Sequence, residues 1–443
     1  MNTTNQNLKP ITTKINSKEH IEIGGCDLVD LANNYGTPLY VIDEQTIITA
    51  CNQYKDAFKD YENIRFMFAS KSLCTSATAK IISEQGFGFD VVSSGEIYTV
   101  KNAGCDMSKV LFNGSNKTYE ELVYAIDSGV GRISVDNHNE IEMLSDILTK
   151  KDLKVDVLLR ITPGIECHTH EYIQTGATDS KFGFDLTQLD EVVSKIVNQF
   201  TNIRIRGLHA HIGSQIFETQ VYADEIKILA ETISKLNKKF NLDLDEMNIG
   251  GGLGVKYVES DCPPSMYDIA NKIIPAINNA IAEYNLNPIK LIIEPGRSII
   301  SPAGVTLYTF GSSKTVPNGK KYIAVDGGMA DNIRHALYQA EYSASIANKP
   351  NQKDALQKVT IAGRFCESGD VLIKNIELPN PEKGDILCVF NTGAYNYSMA
   401  SNYNRVQKPA MVLVNSGQSD IIVDRESLED LIARENIPDR LKK

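Results

Sequence analysis

Eight cysteines are spread over the 443 residues, at positions 26, 51, 74, 105, 167, 262, 366 and 388, and no two of them form a C-x-x-C pair. That scatter suits reduced thiols of a cytoplasmic protein better than a disulfide framework. Long apolar runs are also missing. Stretches such as LIIEPG and VVSSG are strand-sized, well short of a membrane span, so a soluble chain is expected. Positive charge is in deficit: the net charge of -11 argues against nucleic acid as a principal partner. The N-terminus, MNTTNQNLKPITTK, has neither the apolar core of a signal peptide nor the arginine-rich look of a transit peptide, which fits a cytoplasmic location. No internal repeat or low-complexity tract interrupts the chain.

What is present is enough apolar content, 42%, to bury one large core or two ordinary ones. Strand-sized apolar segments alternate with helix-sized amphipathic ones over the first two thirds of the chain. The expected strands are 64–70, 88–93, 109–114, 132–136, 154–161, 205–213, 245–252 and 289–296, with helices at 76–86, 119–129 and 139–151 among the connections. Eight such units predict an α/β fold of the (β/α)8 TIM-like barrel type, in which chemistry is built at the C-terminal strand ends. After residue 300 the pattern turns to short β segments (KYIAVDGG, VTIAGRF, DVLIKNIELP, DILCVFN, PAMVLVN), so a second, mostly antiparallel β domain is expected. The boundaries read as 44–300 for the barrel and 1–43 with 301–443 for the β-rich domain, since PLYVID also looks like a strand.

The strand ends carry unusual residues. FMFASKSL runs an apolar strand straight into Lys71, where an ordinary strand terminus would also tolerate a solvated lysine. Strand six ends in HAHIGSQ, strand seven in GGGLG and strand eight in EPGR. Glycine clusters let the backbone approach an anion, and the loops after strands seven and eight of barrels often bind phosphate. His209 and His211 lack a third ligand, and ECHTHEY, with Cys167, His168 and His170, reads as a polar loop, so no metal is expected. An amine, a phosphate cradle and a carboxylate at neighbouring strand ends are what pyridoxal phosphate requires: imine formation, phosphate donors and an acid partner for the ring nitrogen.

FASK, FDVVSSGE, HAHIGSQ, GGGLG, EPGR, DGGMADNIRHALY, CESGD and GAYNYSMASNYN, in this order over residues 37–405, resemble the diaminopimelate decarboxylase family of barrel-type (fold type III) pyridoxal phosphate enzymes. Alanine racemase and the ornithine and arginine decarboxylases are related to it. The resemblance implies a pyridoxal 5'-phosphate-dependent carboxy-lyase that converts meso-2,6-diaminopimelate to L-lysine and carbon dioxide, the last step of lysine biosynthesis. It implies that Lys71 forms the imine with the cofactor, that His211 stacks on its ring, and that Glu294 pairs with the ring nitrogen. Ser214, Gly250, Gly251, Gly252 and Gly296 match its phosphate site, while Asp90 is either a neighbour of the cofactor or a helix cap. Cys366 matches the proton donor, a task a thiol can perform near neutral pH.

The substrate's distal end carries both an amine and a carboxylate. Arg334 and Tyr338 lie four apart, on one face if RHALY is helical, and Arg297 offers a second guanidinium suited to a carboxylate. Glu367 is assigned to the distal ammonium and Tyr395 to contact with cofactor or substrate. In this family the cysteine, glutamate and tyrosine come from the neighbouring subunit, which implies a homodimer with shared sites. A related amino-acid decarboxylase, for ornithine, arginine or a D-amino acid, would have little use for Arg334. A racemase would need a base on each ring face. The loop at 165–183, long and polar, is expected to close over the site.

Overall fold

The computed structural model describes residues 2–164, 181–317, 319–352 and 356–442; ECHTHEY and most of the 165–183 loop lie outside the described residues. The chain divides into two compact units. One comprises Met1–Asn7, Ile47–Lys256 and Ser260–Ser301, the other Leu8–Thr46, Tyr257–Glu259 and Pro302–Lys443. The division therefore places the first seven residues with the barrel strands.

In the first unit eight parallel strands close on themselves: β1 (Ile64–Ala69), β2 (Gly88–Val91), β3 (Val110–Phe112), β4 (Arg132–Val135), β5 (Val155–Thr162), β6 (Ile203–His209), β7 (Glu246–Asn248) and β8 (Lys290–Ile293). Each pairs with the next and β8 pairs with β1. Strand β6 ends at His209, the first residue of HAHIG, and β7 ends at Asn248, before GGG, so both are shorter than the apolar pattern assigned. Gly250 (φ 63°) turns out of the extended region just after β7, and the rest of both motifs forms loops. Met67, Leu111, Leu158 and Ile292, from β1, β3, β5 and β8, pack together inside the barrel. A filled interior confines chemistry to the strand ends.

The connecting helices start and stop where side chains satisfy their ends. Thr118 Oγ1 accepts from the Glu121 N–H at 3.2 Å and Glu121 Oε2 accepts from the Thr118 N–H at 3.1 Å, a reciprocal cap for helix Tyr119–Asp127. Gly86 (φ 87°) and Gly129 (φ 76°) end the expected first two helices in the left-handed conformation. Beneath the barrel, Arg132 bridges Asp156 (3.2 Å) and Glu246 (2.8 Å), tying β4 to β5 and β7.

The second unit is built on a sheet ordered Val371–Pro379, Leu356–Ala362, Lys321–Val325, Gly304–Thr315, Leu39–Asp43, Ala410–Asn415, Gln418–Val423, with Ile386–Phe390 also pairing with Gly304–Thr315. Most pairings are antiparallel; Lys321–Val325 with Leu356–Ala362 and Leu39–Asp43 with Ala410–Asn415 are parallel. Leu39, Val41, Val305, Leu307, Phe390 and Val412 share one buried cluster, each such side chain contributing about 1.5–3 kcal/mol of burial. Among the described residues, no helix is long and apolar enough to cross a membrane.

Candidate active site

Lys71 occupies the middle of a single 3-10 turn, Ser70–Ser72, directly after β1. Ser70 and Ser72 are buried, Ser72 Oγ donates to the Ala69 carbonyl at 2.8 Å, and Lys71 between them is exposed. The turn thus fixes the backbone and leaves the amine outside the packed strand. Its charge helps to hold His211 neutral and favours the ionised forms of Asp90 and Glu96, so the ammonium stands among these groups.

Glu294, immediately beyond β8, is the centre of a buried polar cluster. Its Oε1 accepts from Asn248 Nδ2 at 2.7 Å and faces Asn113 Nδ2 at 3.3 Å, and His209 Nε2 lies 3.6 Å from Oε2. Burial opposes its charge, but the contact with His209 and the hydrogen bond from Asn248 outweigh that and hold the carboxyl ionised. Asp90 in β2 is the opposite case. Burial first, and then the neighbouring Glu294 charge, push its carboxyl far up the scale, so the pair carries one negative charge, on Glu294. His209 is buried with Nδ1 2.8 Å from Ser134 Oγ, and burial lowers its pKa.

His211 follows β6. The Gly251 N–H donates to its Nδ1 at 3.3 Å, so that nitrogen is an acceptor; burial, and after it the Lys71 charge, keep the ring neutral. The glycine turn could not be made of other residues. A Cβ at Gly250 would lie 2.5 Å from His211 Nδ1, at Gly251 2.1 Å from the Glu294 carbonyl, and at Gly252 2.5 Å from the Gly213 carbonyl. Gly250 and Gly251 already give their N–H groups to Asn248 Oδ1 (2.8 Å) and His211, so an anion's contacts with this turn fall to Gly252 and Leu253. Gly296 sits equally close to β1, where a Cβ would meet Ala69 Cβ at 2.9 Å. Arg297 opens helix Arg297–Ile300 and its Nη2 donates to Ser214 Oγ at 3.0 Å, which puts this arginine with the glycine turns of the barrel unit.

In the second unit RHALY is a helical turn, Arg334–Tyr338. The buried Arg334 guanidinium lies over the rings of Tyr338 (5.4 Å), Tyr395 (5.6 Å) and Tyr257 (5.8 Å), and its Nε donates to Tyr342 Oη at 2.9 Å. Phenol rings around a planar cation fix its direction without neutralising it. Cys366 and Glu367 form a separate exposed group, with the Cys366 N–H 3.4 Å from Asn404 Oδ1 and Tyr403 Oη 3.4 Å from Glu367 Oε2. Asp370 anchors their loop by accepting from the backbone N–H of Phe365 and of Met329, each at 2.7 Å.

The barrel unit fits pyridoxal phosphate. An exposed amine at one strand end, an ionised buried carboxylate for a protonated ring nitrogen, a neutral histidine and a side-chain-free turn are the donor set that cofactor needs. Two buried polar atoms beside them, Asn113 Oδ1 and Ser70 Oγ, have no partner among the described residues. No group of three or more His, Cys, Asp or Glu among the described residues is placed to hold a metal ion.

Four contributors escaped the sequence reading. Asn113 and Asn248 hold the Glu294 cluster, Glu96 accepts from the Val92 N–H at 2.7 Å beside Lys71, and the buried Arg160 guanidinium lies 4.3 Å over the Phe182 ring. Glu96 closes the motif FDVVSSGE, and Arg160 left a signal as a charge within the apolar strand VDVLLRIT.

Residues 44–301 match the family described as pyridoxal-dependent decarboxylase, pyridoxal binding domain. The diaminopimelate decarboxylase of Synechocystis is 46% identical over 447 residues, covering 99% of this chain and 94% of that protein. That of Halalkalibacterium halodurans is 44% identical, covering 95% and 96%. The crystal structure of diaminopimelate decarboxylase from M. jannaschii in co-complex with L-lysine superposes with a TM-score of 0.91 at 33% identity, covering 98% of this chain and all of that one (100%). The chain belongs to the pyridoxal-dependent decarboxylase family, and the relatives it matches at 46% and 44% identity are diaminopimelate decarboxylases.

Proposed function

We propose that this protein removes carbon dioxide from meso-diaminopimelate to give L-lysine, with pyridoxal phosphate bound at Lys71. The observation that carries the substrate reading is Arg334, buried in a ring of tyrosines and aimed by Tyr342. A planar guanidinium held this way suits the distal carboxylate, a group that ornithine lacks.

When bound, the cofactor supplies an aldehyde that condenses with amines and a protonated ring that takes up the electron pair left as carbon dioxide departs. The protein's own groups do the rest. Lys71 would hold the cofactor through its amine, the group the substrate amine would replace. Glu294, kept ionised by its neighbours, would retain the proton on the ring nitrogen, and the neutral His211 would pack against the ring. Ser214, Arg297 and the glycine turn at Gly252 and Leu253 would receive the phosphate, with the missing side chains of Gly250, Gly251 and Gly296 leaving it room. Arg334, with Tyr338 and Tyr395 around it, binds the distal carboxylate, and Glu367 the distal ammonium. The Cys366 thiol delivers the proton that replaces the lost carboxylate. Cys366, Glu367 and Tyr395 act in the barrel of a second copy, making the working unit a homodimer.

Carbon dioxide release by the cofactor-loaded protein, offered meso-diaminopimelate, ornithine, arginine and lysine separately, tests the reading. Release from meso-diaminopimelate alone, abolished by Lys71→Ala, is expected. Scrambling of stereochemistry without gas would instead identify a racemase.

A further inference from the structure

Residues Thr3–Gln6 belong to the barrel unit and are mostly buried, with a 3-10 turn at Thr4–Gln6. Asn5 is 0% exposed, and every hydrogen-bonding group of its side chain is used. Its Nδ2 donates to the carbonyl oxygens of Gly254 (3.0 Å) and Pro264 (2.9 Å), while its Oδ1 accepts from the Thr3 hydroxyl (2.6 Å). Its backbone carbonyl accepts from the Lys256 N–H at 2.9 Å. Thr3 Oγ1 also accepts from the N–H of Met266, the first residue of helix Met266–Tyr284, at 3.2 Å. Gln6 Nε2 donates to the Pro263 carbonyl at 2.9 Å, and the Thr4 N–H to Gln53 Oε1 at 2.9 Å.

Five of these bonds, to Gly254, Lys256, Pro263, Pro264 and Met266, grip one stretch, residues 254–266, which leaves the glycine turn after β7. The other side of that stretch is held by the loop after β6. Gln215 bonds the Val255 backbone in both directions (2.7 and 3.1 Å), Ile216 N–H donates to the Gly252 carbonyl (2.9 Å) and Gly254 N–H to the Ile216 carbonyl (3.1 Å). Gly250 to Gly252 have no side chains with which to fix themselves, and glycine loses more conformational freedom on ordering than any other residue. A turn that presents N–H groups to an anion binds well only if it is already in place. Only an amide fits position 5, because two donors on one nitrogen reach two carbonyls while the oxygen stays an acceptor.

We infer that Thr3–Gln6 is a positioning strap for the phosphate-binding turn, with Asn5 holding Gly254 and Pro264 so that Gly252 and Leu253 stay aimed at the cofactor's phosphate. The inference rests on reading that turn as the phosphate site. The strap sets how tightly pyridoxal phosphate is retained and touches neither cofactor nor substrate.

The test uses the full chain stripped of cofactor, with dissociation constants measured for pyridoxal phosphate and for pyridoxal, which lacks the phosphate. Asn5→Ala and Thr3→Val should each weaken pyridoxal phosphate by roughly tenfold, since each strands buried polar groups. Pyridoxal binding and kcat at saturating cofactor should stay near the parent values, and Thr3→Ser, which keeps the hydroxyl, should behave as the parent. Hydrogen exchange of the cofactor-free variants should quicken at residues 250–256 and not across β1 to β4. Gly252→Ala is the control for the phosphate reading. Parent-like affinity in Asn5→Ala and Thr3→Val alongside weakened binding in Gly252→Ala would overturn the strap and leave the phosphate site standing. Parent-like affinity in Gly252→Ala would remove both. Equal weakening of the two ligands would also overturn the strap, by showing a general loss of structure. Should Asn5→Ala not fold, Thr3→Val and its exchange pattern decide the matter alone.

Discussion

Asp90 Oδ1 and Glu294 Oε1 share the side-chain amide of Asn113, whose Nδ2 stands 2.5 Å from the first and 3.3 Å from the second. Two carboxyls from β2 and the end of β8 are thus brought into one dry space, where both cannot be charged together. The asymmetry of their partners decides which one keeps the proton. Glu294 has Asn248 and His209, so Asp90 is the neutral member.

A pH dependence follows for the cofactor-free protein. A carboxyl whose folded pKa lies above its unfolded value stabilises the fold at low pH and gives that stability up as pH rises. For Asp90 the window runs from about 4, the unfolded value, to about 8. Asp90→Asn should therefore match the parent near the lower limit and become the more stable protein as pH climbs to the upper one. Urea unfolding across this range checks it, and a stability difference that stays constant with pH would contradict the assignment.

Arg334→Ala should separate substrate recognition from cofactor chemistry. Loss of a buried charged hydrogen-bond partner for the distal carboxylate should lower kcat/KM for meso-diaminopimelate by roughly two orders of magnitude. The absorbance of the bound cofactor should be unchanged, because Glu294, His211 and Lys71 remain. Arg334→Lys should recover little, since an ammonium lacks the planar fork that the tyrosine ring positions require. An equal loss of cofactor absorbance would show that the arginine acts on folding.

Lys117 and Glu140 form an ion pair at 2.7 Å with both side chains only 1% exposed, and Lys117 also donates to the carbonyls of Gly114 (2.9 Å) and Ser134 (2.7 Å). The pair pins the loop after β3 to helix His138–Lys151, and the Ser134 bond ties the same lysine to β4. Lys117→Met or Glu140→Leu alone should cost about 3–5 kcal/mol, because each leaves the other charge buried and unpaired. The double variant should lose clearly less than the sum, which a double-mutant cycle by chemical denaturation measures.

Mixing two inactive proteins tests the shared site. Random reassociation of Lys71→Ala with Cys366→Ala should restore up to about a quarter of parental carbon dioxide release, one working site in half of the dimers. Verified heterodimers without activity would place both residues in the service of one chain.

The eight strands and their order were legible because burial on both faces leaves long apolar segments whatever the chemistry at their ends. Lys71, His211, Glu294 and the glycine runs were legible for the same reason in reverse, being interruptions of that pattern by residues strands do not favour. Asn113 and Asn248 were not. Nothing distinguishes an asparagine that caps a strand from one that supports a carboxylate until the closed barrel brings the ends of β3, β7 and β8 together around Glu294. Asn5 was equally silent, in a polar N-terminal stretch whose buried partners are some 250 positions away (|i−j| 249 and 259).

By itself, then, the sequence determined the kind of fold and the pyridoxal phosphate chemistry, and it named the residues proposed to carry that chemistry, since these depend on motif and residue type. Only the tertiary structure decided which carboxyl is charged, that His211 is neutral, that Arg297 stands with Ser214 and Arg334 with the tyrosines, and that Asn5 grips the loop beyond the glycine turn. Charge state and anchorage depend on distance and on exclusion of water, and both arise only when residues remote in sequence are packed together.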